Sequence, residues 1–220
     1  DLSPGLDFET KLFAKPDAAA LLRAELAKKN HVVSPIAMGT NTDPYQPIEK
    51  DWQVTRQVLE VLVETRHPTF ITTKSDRILR DIDLLADLAR DNLVAVMISV
   101  TSLDPTVART LEPRAPHPER RIAAIARLAQ AGIPVSANMS PIIPALNDHE
   151  IENLVARVAA AGARDINYIL VRLPHEVAPL FRAWLDEHHP DRAGKVMAII
   201  NDLRGGRDND PNFGSRMKGR

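Results

Sequence analysis

Short apolar runs rich in Val and Ile alternate along the chain with longer stretches in which apolar residues recur at three- and four-residue steps. Parallel strands joined by crossover helices give that alternation, so the pattern predicts strands over 32–38, 69–73, 94–100, 135–139 and 165–171. Each run is nearly all apolar, as expected of a strand covered on both faces. Between them the spacing predicts helices over 18–29, 51–66, 80–91, 118–131, 148–161 and 176–188. Arg121, Ile122, Ala124, Ile125, Leu128 and Ala129 fall on one helical stripe facing the core. Pro118 followed by Glu119 suits a first helical turn, Asn147-Asp148 suits a helix cap, and Gly132 and Gly162 fall where helices should stop.

The strand-helix units carry no sequence repeat, and many of the 17 prolines sit in the loops after strands. The fold class expected is α/β: an incomplete (β/α) TIM-type barrel of parallel strands with outer helices, lacking its first strand. It spans residues 1–203 and is followed by a basic, Gly-rich segment over 204–220. A doubly wound open sheet is the alternative, and in either architecture the ligand site forms at the carboxyl ends of the strands.

Composition narrows the picture. With 44% hydrophobic and 26% charged residues the chain has a soluble character, and its apolar runs stop well short of the ~20 residues a membrane span needs. A formal net charge of -1 gives no global field toward nucleic acid or anionic lipid. The chain starts at Asp1 with no charged-then-apolar leader, which reads as a cytoplasmic protein starting at a cut. Cysteine is absent, so these residues alone build no disulfide, thiolate nucleophile or iron–sulfur site.

The expected strand ends are polar. After the first comes Gly39-Thr40-Asn41-Thr42-Asp43-Pro44-Tyr45-Gln46-Pro47. Gly39 lets a ligand approach the backbone, and Thr40, Thr42 and Asp43 offer acceptors to an ammonium; a proline-stiffened turn is the plainer reading. Lys74 ends the second strand and suits a carboxylate or phosphate, or simply solvent. Ser99 and Thr101 share a face of the third. Glu112, Arg114, Arg120 and Arg121 crowd a Pro-rich loop, suited either to a polar ligand or to a surface salt-bridge cluster. On the fourth, Asn138 and Ser140 point inward, and Pro141-Ile142-Ile143-Pro144 makes a stiff apolar wall. Arg172 follows the fifth. The seven histidines show no metal-ligand spacing, and no GxGxxG, Walker or GxSxG pattern occurs.

Taken together, these phrases resemble radical S-adenosylmethionine (radical SAM) proteins related to spore photoproduct lyase. The resemblance rests on Gly5-Leu6-Asp7-Phe8-Glu9, the run from Gly39 to Glu49, Thr73-Lys74-Ser75, Leu111-Glu112-Pro113-Arg114-Ala115-Pro116, Pro141-Ile142-Ile143-Pro144 and Arg172-Leu173-Pro174. Arg204-Gly205-Gly206 and Phe213-Gly214-Ser215-Arg216-Met217 extend it toward the carboxyl end. It implies an enzyme that reductively cleaves S-adenosylmethionine to a 5′-deoxyadenosyl radical, which abstracts hydrogen from a substrate. It also implies a [4Fe–4S] cluster on a CxxxCxxC loop upstream of Asp1, and a reductant such as flavodoxin or ferredoxin.

By the same resemblance Thr42 and Asp43 would meet the methionyl amine, Lys74 and Ser99 the carboxylate and ribose side, and Asn138, Ser140 and Pro141 the adenosine. Glu112, Arg121 and Arg172 are further candidates for ribose, carboxylate or substrate. Spore photoproduct lyase uses a cysteine as hydrogen donor and this chain has none, so its thymine-dimer substrate is not carried over. Two other readings stay open: a βα-barrel aldolase or lyase using Lys74, and a nucleic-acid-binding module. The latter would use the Arg-rich loop and the 204–220 tail, where five cations face Asp208 and Asp210.

Overall fold

The computed structural model describes residues 11–209. Among these the chain opens with helix α1 (Ala18–Leu26), strand β1 (Ile36–Met38), α2 (Glu49–Trp52) and α3 (Val54–Glu64). Then come β2 (Thr69–Thr73), a 3-10 turn (Asp76–Asp81), α4 (Ile82–Arg90), β3 (Val94–Ser99), α5 (Pro105–Leu111), α6 (Pro118–Gln130) and β4 (Val135–Ile142). A second 3-10 turn (Asp148–Glu150) leads into α7 (Ile151–Ala160), β5 (Ile166–Leu170), α8 (Val177–His188) and α9 (Pro190–Asp202).

All neighbouring strands pair in parallel, in the order β1-β2-β3-β4-β5. A helical crossover separates each strand from the next, as parallel pairing requires, and the unbroken order is that of an arc of a TIM-type barrel. The α/β expectation therefore holds, with an open sheet among the described residues.

Strand alternation gives the sheet two different faces. Ile71, Val96, Ile98, Val135 and Ala137 are buried in one core with Leu59 and Leu62 of α3, Leu85 and Leu88 of α4, Ile125 and Leu128 of α6, and Val158 of α7. At about 1.5–3 kcal/mol per buried aliphatic side chain, this face binds the helices to the sheet. The residues between them, Phe70, Thr72, Met97, Ser136 and Asn138, are only half-buried and line the inner side of the arc. The expectation of strands covered on both faces is thus corrected: helices cover one face, and the inner face mixes apolar and polar side chains.

Several boundaries also move. The first strand keeps only three residues of the predicted 32–38, since Pro35 has no N–H to give a ladder, and Val32 and Val33 are exposed. Gln53, at φ 48°, splits the predicted 51–66 helix into α2 and α3. Gly132 and Gly162 do end helices, at φ 77° and 99°. Asp148 makes no side-chain cap, and neither does Asn147 at the start of its 3-10 turn. Instead the buried Asn147 accepts from Ile143 N at 2.7 Å and donates to the carbonyls of Thr101 and Pro141 at 2.9 and 3.1 Å. It ties the loop beyond β4 to the end of β3.

Helices α5 and α9 lie outside the expected set. Together with α8 they build a second core from Val107, Ile143, Leu146, Phe181, Leu185, Val196 and Ile200. The tail is anchored as far as Asp208, which pairs with Arg182 at 2.6 Å, while the Arg204 guanidinium bonds the carbonyls of Val171 and Asp208. The Gly5–Glu9 and Phe213–Met217 phrases lie outside the described residues. No helix among the described residues is long and apolar enough to cross a membrane.

Candidate functional site

At the carboxyl edge of β1 and β2 the chain encloses a cleft of about 730 Å³. Its walls come from the loop after β1 (Asn41, Thr42, Asp43, Gln46), the segment after β2 (Lys74, Asp76, Arg77), the loop after α5 (Glu112, Arg114) and the first turn of α6 (Arg120). Of the residues singled out in the sequence, Thr42, Asp43, Lys74, Glu112, Arg114 and Arg120 line it.

Asp43 is the hinge of the first wall. Its Oδ1 accepts from Tyr45 N at 2.8 Å and from the Thr73 hydroxyl at 2.7 Å, and its Oδ2 accepts from Lys74 N at 2.7 Å. These bonds pin the loop after β1 to the end of β2. A carboxylate has about four acceptor sites, so Oδ2 keeps roughly one for a ligand donor.

Glu112 anchors the opposite wall. Its Oε1 lies 2.9 Å from both the Lys74 ammonium and the Thr101 hydroxyl, and its Oε2 lies 2.7 Å from Arg121 Nη1. Burial opposes ionisation of this carboxyl, yet the Lys74 and Arg121 charges outweigh it and hold Glu112 below its ordinary value. Arg121 is only 1% exposed and also donates to the carbonyls of Pro116 at 2.7 Å and Ser99 at 3.2 Å. A position on the buried helical stripe thus carries a cation because three oxygens, from Glu112, Pro116 and Ser99, wait for it. The sequence reading that offered Arg121 to a ligand is corrected: it stands behind the wall and fixes Glu112. Lys74 differs, since its side chain is 43% exposed and two of its three protons remain for a partner.

Ser99 and Asn138 lie next to the cleft on the inner sheet face. Parallel register pairs Ser99 with Asn138 and Asn138 with Asn167, while Thr73 pairs with Ile98. Lys74, one residue past β2, therefore stands at the level of Ser99, in one row with Ser99 of β3, Asn138 of β4 and Asn167 of β5. Asn138 Oδ1 is shut off from solvent with no hydrogen-bond partner. A buried acceptor left so costs about 1–3 kcal/mol, which marks it as a place where a donor is missing.

The remaining candidates sit elsewhere. Gly39, at φ +88°, makes its close approach within the chain: an added Cβ would fall 1.9 Å from the Thr72 carbonyl oxygen. That contact by itself requires glycine at this position. Thr40 is exposed outside the cleft lining. Ser140 gives its carbonyl to Thr101 at 2.9 Å, and Pro141, joined to it by a cis peptide bond, gives its own to Asn147. Arg172 is exposed beyond β5 and does not reach the cleft.

Residues absent from the sequence reading support the site from below. Asp81, fully buried, receives the Tyr45 hydroxyl at 3.1 Å, Arg56 at 3.1 Å and Arg80 at 2.8 Å, and Arg80 also bonds Glu49. Burial first, then the neighbouring Asp81 charge, drive the Tyr45 phenol far above its ordinary value, so it stays a neutral donor. This network holds the loop after β1 against the 3-10 turn. Asp104, whose carboxylate caps α5 at Thr106 N and Val107 N, was legible as an Asp-Pro helix start.

Comparison with known proteins identifies the family. The model of the radical SAM superfamily matches residues 9–158. An uncharacterised protein of Mycobacterium tuberculosis is 33% identical over 201 residues, covering 90% of this chain and 59% of its own length. The radical SAM Nalpha-GlyT isomerase of Pseudomonas phage M6 is 30% identical over 139 residues, 63% of this chain and 28% of its own. The crystal structure of Streptococcus suis SuiB bound to S-adenosylmethionine superposes with a TM-score of 0.53 over 84% of this chain and 42% of that one, at 18% identity. That last likeness is one of fold. The chain spans 59% of the length of its mycobacterial relative. With the family model matching well over half of its residues, the chain belongs to the radical SAM superfamily.

Proposed function

We propose that this chain is the S-adenosylmethionine-binding part of a radical SAM enzyme of the spore-photoproduct-lyase-like group, with the cofactor lodged between the cleft and the inner sheet face. The observation that carries the reading is Asn138 Oδ1, a buried acceptor without a donor, in line with Ser99 and Lys74. A row of amide, hydroxyl and ammonium suits the three polar parts of S-adenosylmethionine: purine, ribose and methionyl carboxylate.

The roles follow from what each group has left to offer. Lys74 would pair with the methionyl carboxylate through the protons that Glu112 does not take. Asp43 Oδ2 and the Thr42 hydroxyl would accept from the amine. Ser99 would meet the ribose, and Asn138 a donor on the adenosine side. Glu112, Arg121 and Thr101 would not touch the ligand but would keep Lys74 in place. With a reduced iron–sulfur cluster held elsewhere in the full-length protein, S-adenosylmethionine bound by these residues would supply radical chemistry for hydrogen abstraction.

The residues of this chain do not fit the cluster itself. They include no cysteine, and no group of three His, Asp or Glu able to hold a metal gathers among the described residues. Its ligands would have to come from the remainder of the full-length protein. An aldolase reading of Lys74 finds less support, because an amine that attacks a carbonyl would first have to leave a carboxylate 2.9 Å away.

The test is reductive cleavage. Full-length protein, reconstituted anaerobically with iron and sulfide and then reduced, should release 5′-deoxyadenosine from S-adenosylmethionine, at a rate that falls at least tenfold in Lys74→Ala. Release no faster than with protein left without iron would refute the reading.

A further inference from the structure

Two histidines meet at the opposite, amino-terminal edge of the sheet. His31 lies in the loop before β1, and His67 is two residues before β2. Their rings stand 5.5 Å apart between centroids, tilted by 50°. His67 is 4% exposed. Its Nδ1 lies 3.1 Å from the Pro68 carbonyl oxygen, and a carbonyl only accepts, so Nδ1 carries the proton. That leaves Nε2 of His67 as a bare lone pair. It is shut off from solvent and has no partner, and the same holds for Nε2 of His31.

Two buried imidazole nitrogens, neither with a hydrogen-bond partner and on rings side by side, are costly unless something sits between them. We propose that His31 and His67 form a binding site for a borderline divalent transition-metal ion such as Zn²⁺, held through the two Nε2 atoms. Three features favour an ion. The Nδ1–H bond from His67 to a backbone carbonyl is the support that metal-bound histidines ordinarily have, since it fixes the tautomer and turns the other nitrogen outward as a ligand. The ring spacing suits a shared ion, because Zn–N bonds of about 2.0–2.1 Å at a tetrahedral angle set two imidazole centroids roughly 5 Å apart. Both ligands precede their strands, and β1 and β2 are paired from Ile36↔Thr69 onward, so the sheet holds the pair together. No third metal-ligating side chain gathers there among the described residues. With two protein ligands this is a site of modest affinity, distinct from the cleft at the far end of the strands.

Titration calorimetry with Zn²⁺ tests it on the 220-residue chain, in which no thiolate competes. His31, being only partly buried, tolerates replacement, so His31→Gln is the informative variant. His189→Gln, which alters the separate His188-His189 pair, is the control. The expected result is one ion bound per chain, with affinity lowered at least tenfold in His31→Gln and unchanged in His189→Gln. Co²⁺ should give the visible absorption of an imidazole-bound ion only when His31 is present. No binding by the wild type, equal binding by His31→Gln, or loss of binding only in His189→Gln would overturn the proposal.

Discussion

Lys74 and Glu112 come from loops after different strands, yet their charged groups lie 2.9 Å apart across the cleft wall. Lys74 is half in solvent, and the Glu112 side chain is 7% exposed. The pair is therefore asymmetric: the carboxylate is held from behind by Arg121 and Thr101, while the ammonium is presented to whatever enters. Removing one partner tests which role each has.

Replacing Lys74 by Met takes away the presented charge and leaves Glu112 with Arg121 and Thr101. The full-length protein should bind S-adenosylmethionine at least tenfold more weakly, while the urea midpoint moves little, because a half-exposed ion pair contributes only about 0–1 kcal/mol. Equal affinity in the two proteins would remove Lys74 from the site.

Arg121 answers to a different measurement. Its truncation to Met strands the buried Glu112 charge and two carbonyls, so urea unfolding should show a loss of about 3–5 kcal/mol. Adding Glu112→Gln to that variant should recover part of the loss, since the stranded charge is gone. A double variant no more stable than Arg121→Met would show that the two do not act as a unit.

Acid should reveal Glu112 directly. Its folded carboxyl is held below the ordinary value, so its contribution to stability is present above the unfolded value of about 4.3 and is lost as pH falls through the folded one. The stability gap between wild type and Glu112→Gln should be flat from pH 7 to about 5 and shrink below about pH 4. A gap independent of pH down to 3 would contradict the assignment.

Gly39→Ala places a methyl group 1.9 Å from the Thr72 oxygen at a φ of +88°. Strain of this kind costs about 1–3 kcal/mol before the clash is counted, and here it would part β1 from β2. Thermal unfolding should show the loss, whereas Gly132→Ala, also at positive φ but with open space around it, should lose less.

The sequence made the strand-helix alternation legible because each strand is short and apolar and each helix carries a stripe. Residues 69–73 were placed to the residue, and the Arg121–Leu128 stripe lies in the core as read. What it hid depends on distance in the chain. Nothing local marks Asp81 as the partner of Tyr45 and Arg56, or Thr101 as a donor to Glu112, since such bonds exist only once the strands are side by side. Helix α9 escaped notice because His189-Pro190 reads as the end of α8, although the same proline serves as the first turn of the next helix. Arg121 was visible as a charge on an apolar stripe, and only its three oxygen partners show that it faces inward.

Asn138 tests the central claim with the least ambiguity. Because its buried Oδ1 has no partner in the unliganded chain, Asn138→Ala should leave the urea midpoint unchanged or slightly raised. Equilibrium dialysis of the full-length, cluster-loaded protein should at the same time show S-adenosylmethionine binding weakened at least tenfold. A variant that loses stability but binds the cofactor as well as wild type would contradict the account.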